Sequence, residues 1–204
     1  MWIDSDYKEI GPINELLFDP LLSLIKDINW NKKEYHRLFH EIPLRNGRVL
    51  ILPFSMSPDI TYTTEQQAVI DCIAPITQIV TDTFFNLKII RGELGTLPPG
   101  SYLRDHFDDK VFHERCVRVH VPITTNDQCF QIFEGRKVHF NTGKIYEINN
   151  RIMHSANNEG KTIRTHLILD LLDQNDSSTP SDLIKTSIPS EYRNLTKNPF
   201  NILK

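Results

Sequence analysis

Cysteine is scarce and poorly placed for chemistry. The 204 residues include three, at Cys72, Cys116 and Cys129, with no CxxC pair among them. An odd, scattered set of this kind argues against a disulfide framework and a thiolate metal or redox site, and reads as reduced, buried thiols. A basic excess is also missing. Lys and Arg number 23 against 26 Asp and Glu, a formal charge of -3, so the broad electrostatic footprint of a nucleic-acid binder is absent. No apolar run approaches the ~20 residues needed to span a bilayer. The opening "MWIDSDYKEIGPI" carries acids and no apolar core of a secretory signal. The expectation is a cytoplasmic protein without nucleic-acid or membrane partners. GxGxxG, GxxxxGK[ST], GxSxG and internal repeats are lacking too, which removes the usual signatures of dinucleotide, nucleoside-triphosphate and serine-hydrolase chemistry.

What is present is an ordinary globular composition, 39% apolar and 24% charged, with a length suited to one domain. The texture changes along it. In residues 1–86, "INELLFDPLLSLIKDINW" sets leucines at helical spacing with Pro20 as a break, and "NGRVLILPFS" reads as a strand after a turn. "TTEQQAVIDCIAPITQIVTDTFF" opens on a Thr64-to-Gln67 capping pattern and repeats Val69, Ile70, Ile73, Ile76, Ile79 and Val80 with helical period, so a long helix kinked at Pro75 is expected.

From residue 87 the period becomes two. "LKIIRGEL", "CVRVHVPIT", "FQIFEG", "RKVHFNTG", "KIYEINN" and "TIRTHLILDLL" predict an antiparallel barrel or sandwich over 87–172, with tight hairpins at "EGRK" and "NTGK". Residues 173–204 read as a pattern-poor tail.

In "PPGSYLRDHFDDK" His106 and Asp108 are two apart, a spacing that aims both at one point on an extended strand. With a second imidazole they would make the facial set that holds Fe(II) and leaves positions open. The plainer reading is a pair that caps a turn in an acidic loop. His154 lies in "NNRIMHSANNEGKTIRTHLILD", and Arg164 follows ten residues later. If the flanking strands pair about Glu159, these two residues face each other across a hairpin. His154 could equally be a strand histidine bonded to a carbonyl, and Arg164 a salt-bridge partner of Glu159 or Asp170. In "CVRVHVPI" Arg118 and His120 share one face and the valines the other, which calls for an anion or for packing partners. His166 shares the Arg164 face, and a structural role is the simpler expectation for it. His36 and His40, spaced i to i+4, read as surface residues. His113 and His139 match no motif, and Asp105 and Asp109 point away from His106 by parity.

The span 87–172 resembles the aspartyl/asparaginyl β-hydroxylase family of Fe(II)- and 2-oxoglutarate-dependent dioxygenases, including the free-proline hydroxylases that share that domain. The segments that carry the resemblance are "PPGSYLRDHFD", "RVHVPI", "FEGRKVHFNTGKIYEIN" and "NNRIMHSANNEGKTIRTHLILD". It implies a double-stranded β-helix, the cupin-like jelly roll, behind N-terminal helices. It also implies His106, Asp108 and His154 as metal ligands, Arg164 as partner of the far carboxylate of 2-oxoglutarate, and Arg118 with His120 as contacts to the oxoacid near the metal. The implied reaction uses O2 and 2-oxoglutarate to hydroxylate an aliphatic C–H of an amino acid or of a protein Asp, Asn or Pro side chain, releasing succinate and CO2. Animal aspartyl hydroxylases lack the carboxylate ligand, so Asp108 aligns this chain with the free-amino-acid enzymes. The competing expectation is a metal-binding cupin without oxygen chemistry: a hydrolase, an isomerase or a sensor.

Overall fold

The computed structural model describes residues 3–28, 44–45, 48–52, 63–108 and 115–177. Within them two antiparallel sheets form. The larger runs β1 (Tyr7–Pro12), β9 (Lys144–Ile148), β6 (Val117–Thr124), β11 (Arg164–Asp173), β4 (Leu87–Leu97), β3 (Arg48–Leu52). The smaller runs β2 (Leu44–Arg45), β5 (Tyr102–His106), β10 (His154–Asn158), β7 (Cys129–Phe133), β8 (Arg136–Val138). From β4 onward successive strands fall in opposite sheets, except the β7–β8 hairpin. That alternation is the double-stranded β-helix expected from the sequence.

The period-two strands explain which face is which. Val117, Val119, Val121 and Ile123 of β6 and Leu167, Leu169 and Leu171 of β11 join one buried cluster with Val69, Ile73, Ile76 and Val80. Those last four lie on one face of α2 (Thr64–Thr83). Each fully buried aliphatic side chain of this kind contributes roughly 1.5–3 kcal/mol. The opposite face of the same two strands carries Arg118, His120, Arg164, His166 and Asp170, all buried. It looks toward the smaller sheet, since Arg164 bonds Gln131 of β7. A second buried cluster of Phe133, Phe140, Tyr146 and Ile148 closes one side of that interior.

Several sequence expectations change. The N-terminal 86 residues are more than helices packed on a barrel, because β1, β2 and β3 extend both sheets by pairing with β9, β5 and β4. Unpaired sheet edges are costly to leave open, and these strands cover them. Pro20 does not end a helix but starts one: a 3-10 turn (Glu15–Phe18) gives way to α1 (Asp19–Leu24) with Pro20 in its first turn, where a missing N–H costs nothing. The α2 cap falls one residue earlier than predicted: Gln66 N donates to Thr63 Oγ1 and Thr63 N to Gln66 Oε1. The helix continues through Pro75.

"EGRK" is a tight hairpin, with Glu134 at φ 49° and Gly135 at φ 85°. "NTGK" is not, because β8 belongs to the smaller sheet and β9 to the larger. Nor do His154 and Arg164 face each other in a hairpin: β10 pairs with β5 and β7, while β11 pairs with β4 and β6. The connection 159–163 is a crossover between sheets. Local pattern cannot distinguish a hairpin from a crossover of the same length, since both need two alternating runs and a polar link.

Candidate metal centre

Register brings the two imidazoles together. His154 on β10 is the cross-strand partner of His106 on β5, and their ring centroids are 4.3 Å apart. β5 ends at His106, so Asp108 sits just past the strand, with its N–H donating to the Asn150 carbonyl at 3.3 Å. Asp108 Oδ1 lies 3.6 Å from His106 Nε2 and 3.8 Å from His154 Nε2. The three ligand atoms all fall within 4.8 Å of one another.

The other ring nitrogens set the tautomers. His106 Nδ1 is 2.8 Å from the Arg104 carbonyl and His154 Nδ1 is 2.9 Å from the Ile152 carbonyl. A carbonyl only accepts, so each Nδ1 carries a proton and each neutral Nε2 presents its lone pair toward Asp108. Backbone bonds of this kind orient ligating histidines. Two neutral nitrogens and one carboxylate oxygen suit a divalent transition metal with open positions. For His154, burial depresses the pKa and His106 adds to it, against the pull of Asp108. For His106, burial acts the same way, but the neighbouring Asp108 carboxylate and the hydrogen bond to the Arg104 carbonyl outweigh it and raise the pKa.

Behind Asp108 runs a buried chain of charges. Arg118 Nη1 donates to Asp108 Oδ2. Its opposite edge is bidentate on Asp170, Nε to Oδ1 at 2.8 Å and Nη2 to Oδ2 at 3.0 Å. Asp170 also accepts Arg91 Nη1 at 3.1 Å, and Arg91 pairs with Glu93. Arg118 and Arg91 are the cross-strand neighbours of Asp170 on β6 and β4. Burial alone would weaken the Arg118 cation, but Asp108 and Asp170 overcome that and raise its pKa.

Arg164 is the contrast. It is buried, and its Nη2 donates to Gln131 Oε1 at 3.2 Å and to His166 Nδ1 at 2.9 Å. Both partners are neutral. Among the described residues no carboxylate pairs with it, and burial lowers its pKa to about 10. His166 Nδ1 lies 3.3 Å from His120 Nδ1. Since His166 Nδ1 accepts from Arg164, His120 is the donor of that contact. Burial drives the His120 pKa well down, helped by the charges of Arg164 and Arg118 and by His154. His120 thus sits in the field of both the candidate metal centre and Arg164.

The candidate residues of the sequence therefore come together in one interior: His106, Asp108 and His154 at its metal-binding end, His120 and His166 between, and Arg164 beyond. His139 bonds the Cys129 carbonyl at 3.0 Å, and Asp105 is exposed. His36, His40, Asp109 and His113 lie outside the described residues. Sequence reasoning missed Gln131 and underused Asp170. Both carried a signal: Gln131 is a polar residue on the inward parity of an otherwise apolar strand, and Asp170 continues the inward polar face that Arg164 and His166 begin on β11.

A His/Asp/His set, half-buried at His106 and Asp108 and buried at His154, inside a double-stranded β-helix could hold a metal ion, as expected of the non-haem iron oxygenases that consume 2-oxoglutarate. The family follows from the sequence match: the description "Aspartyl/Asparaginyl beta-hydroxylase" covers residues 61–174, and the chain belongs to that family. The match starts inside the region that carried no recognised motif and takes in α2. A comparison with curated proteins finds no match. Solved structures agree on the fold. A 2OG-Fe(II) oxygenase family oxidoreductase from Burkholderia pseudomallei superposes with a TM-score of 0.54 at 12% identity, over 84% of this chain and 86% of that one. The viral collagen prolyl hydroxylase of Paramecium Bursaria Chlorella virus-1, in its 2OG complex, gives 0.52 at 14% identity over 82% and 96%. A Pseudomonas putida prolyl-4-hydroxylase gives 0.51 at 13% over 84% and 95%. Membership of this family makes the chain an enzyme of the Fe(II)- and 2-oxoglutarate-dependent dioxygenase class, and His106, Asp108 and His154 could hold its metal.

Proposed function

We propose that His106, Asp108 and His154 hold the Fe(II) and that Arg164 pairs with the far carboxylate of 2-oxoglutarate. The enzyme then hydroxylates an aliphatic C–H of an amino acid or of a protein Asp, Asn or Pro side chain. The observation that carries this is the charge of Arg164, a buried guanidinium with only neutral partners among the described residues. A buried cation without a counter-ion is expensive, and a dicarboxylate co-substrate removes the cost. Bound iron with 2-oxoglutarate and O2 supplies the oxidising power for hydroxylation, with release of succinate and CO2.

The chain's own groups do the rest. The Arg104 and Ile152 carbonyls keep both ligand imidazoles in the tautomer that presents Nε2. Gln131 and His166 hold the Arg164 fork in place before any carboxylate arrives, so less ordering entropy is lost on binding. His120, kept neutral by burial beside two arginines, offers a ring edge next to the oxoacid without adding a third cation. The prolyl hydroxylases among the similar folds support a Pro-type substrate, and the family description supports Asp or Asn.

The test is succinate release from iron-loaded protein, screened over free amino acids and over peptides containing Asp, Asn or Pro. Substrate-dependent succinate from one of these groups is expected. Turnover on free proline but on no peptide removes the protein-side-chain branch. No succinate with any of them, from folded iron-loaded protein, overturns the substrate assignment.

A further inference from the structure

The two oxygens of Asp108 have different neighbours. Oδ1 is the atom near both imidazole Nε2 atoms, at 3.6 and 3.8 Å, whereas Oδ2 accepts Arg118 Nη1. Arg118 cannot swing with Asp108. Its planar fork is held on the far edge by both oxygens of Asp170, and Asp170 lies on the central strand between Arg91 and Arg118. A guanidinium fixed along one edge has the direction of its third nitrogen fixed too. The result is a buried strut from the larger sheet to the residue that follows β5 in the smaller one.

Resting on the assignment of His106, Asp108 and His154 as ligands, we propose that Arg118 is a positioning residue. Locked by Asp170, it withholds Oδ2 of Asp108 and confines that carboxylate to one-point ligation, so that a coordination position stays open for the oxoacid. This differs from the role implied by family resemblance, in which Arg118 touches the oxoacid itself. Charge and geometry make opposite demands on metal affinity. A cation beside the site repels a divalent metal, so its loss alone would tighten binding, whereas loss of the strut frees the carboxylate and loosens it. Arg118→Lys separates them, because lysine keeps the charge but has its three rotatable donors on one nitrogen, so it cannot lock onto Asp170 along a planar edge and reach Asp108 in a fixed direction.

The experiment is anaerobic titration of the full-length apoprotein with Co(II), followed by its visible d–d spectrum, and then titration with 2-oxoglutarate. Wild type, D108A, R118K and D170N are compared, with far-UV circular dichroism as a check on folding. Wild type should bind Co(II), and D108A should lose it. If wild type does not bind, or D108A binds equally well, the metal assignment itself fails, and the strut with it. With the assignment intact, R118K and D170N should each weaken Co(II) binding by roughly 10- to 100-fold and change the d–d spectrum. An R118K spectrum and affinity equal to wild type would reduce Arg118 to a charge and overturn the strut. Loss of 2-oxoglutarate binding in R118K with both the Co(II) affinity and the d–d spectrum unchanged would leave the Asp108 ligation as it was, make Arg118 an oxoacid contact and overturn the strut equally. Should R118K fail to fold, D170N decides, since it leaves Arg118 in place and weakens its anchor together with the Arg91 contact, which does not reach Asp108.

Discussion

Two buried arginines in one interior have opposite surroundings, and their partners argue for the different roles proposed for them. Arg118 is balanced by Asp108 and Asp170, whereas Arg164 has Gln131 and His166. Among the described residues only the second has an unmet charge, so the two should fail differently. Arg164→Ala should raise the apparent 2-oxoglutarate requirement by roughly 10- to 100-fold, the worth of a charge-assisted hydrogen bond or two, and leave metal affinity within about twofold. Parallel metal and 2-oxoglutarate titrations check this, and loss of metal would sink the assignment of Arg164. His106, Asp108, His154 and Arg164 were legible as residues because their spacing and order survive in one dimension. Gln131 and Asp170 were not, because a single inward polar residue means little until its partner strand is known.

At the scale of elements, the crossover 159–163 matters most. It carries the chain from His154 in the smaller sheet to Arg164 in the larger, where Arg164 opens β11 opposite Leu97. Asn158 closes it, donating to the Leu97 carbonyl at 2.7 Å and the Thr162 carbonyl at 2.8 Å. Asn126 packs against it so closely that a Cβ at Gly160 would lie 1.9 Å from Asn126 Oδ1. That oxygen is already committed to the Gln128 N–H. Gly160→Ala should therefore cost about 1–3 kcal/mol and lower Tm by about 2–4 °C per kcal/mol. Gly11→Ala, with nothing within 4 Å of the new Cβ, should be close to neutral. Equal Tm values for the two variants would refute this account of the crossover. Here the sequence misled: "NNEGKT" has the residues of a hairpin loop, and the strands it joins were expected to pair. Helix α2 was read correctly along most of its length, because four buried positions on one face form a signal that needs no partner to recognise.

For the molecule as a whole, the interior histidines make stability depend on pH. Burial and the neighbouring Arg164 charge push His120 and His166 well below their ordinary pKa, so both are neutral when folded. In the unfolded chain they titrate near 6.5. Below about pH 6.5 the unfolded state binds more protons, and folding stability falls as pH falls. The slope should approach about 1.4 kcal/mol per pH unit for each imidazole. Urea unfolding of metal-free protein between pH 7.5 and 5.5 measures it, and His166→Asn should flatten the curve. A stability that is level or rises toward pH 5.5 in the wild type would contradict the buried, neutral state of these rings. Among the described residues no helix is long and apolar enough to cross a membrane.

Period and composition were enough to predict an antiparallel barrel or sandwich behind N-terminal helices, and motif order to single out the residues proposed to carry its chemistry. Those features depend on neighbours a few residues apart, and the alternation of Val with Arg and His in β6 already assigns each side chain to a face. Tertiary structure alone decided who meets whom. It set His154 against His106 across β10 and β5, and it placed Asp170 between two arginines. It also supplied Arg118 with two carboxylates and, among the described residues, Arg164 with none. Strand order and register follow from the global packing of two sheets and a helical layer, and a one-residue slip would reverse every face.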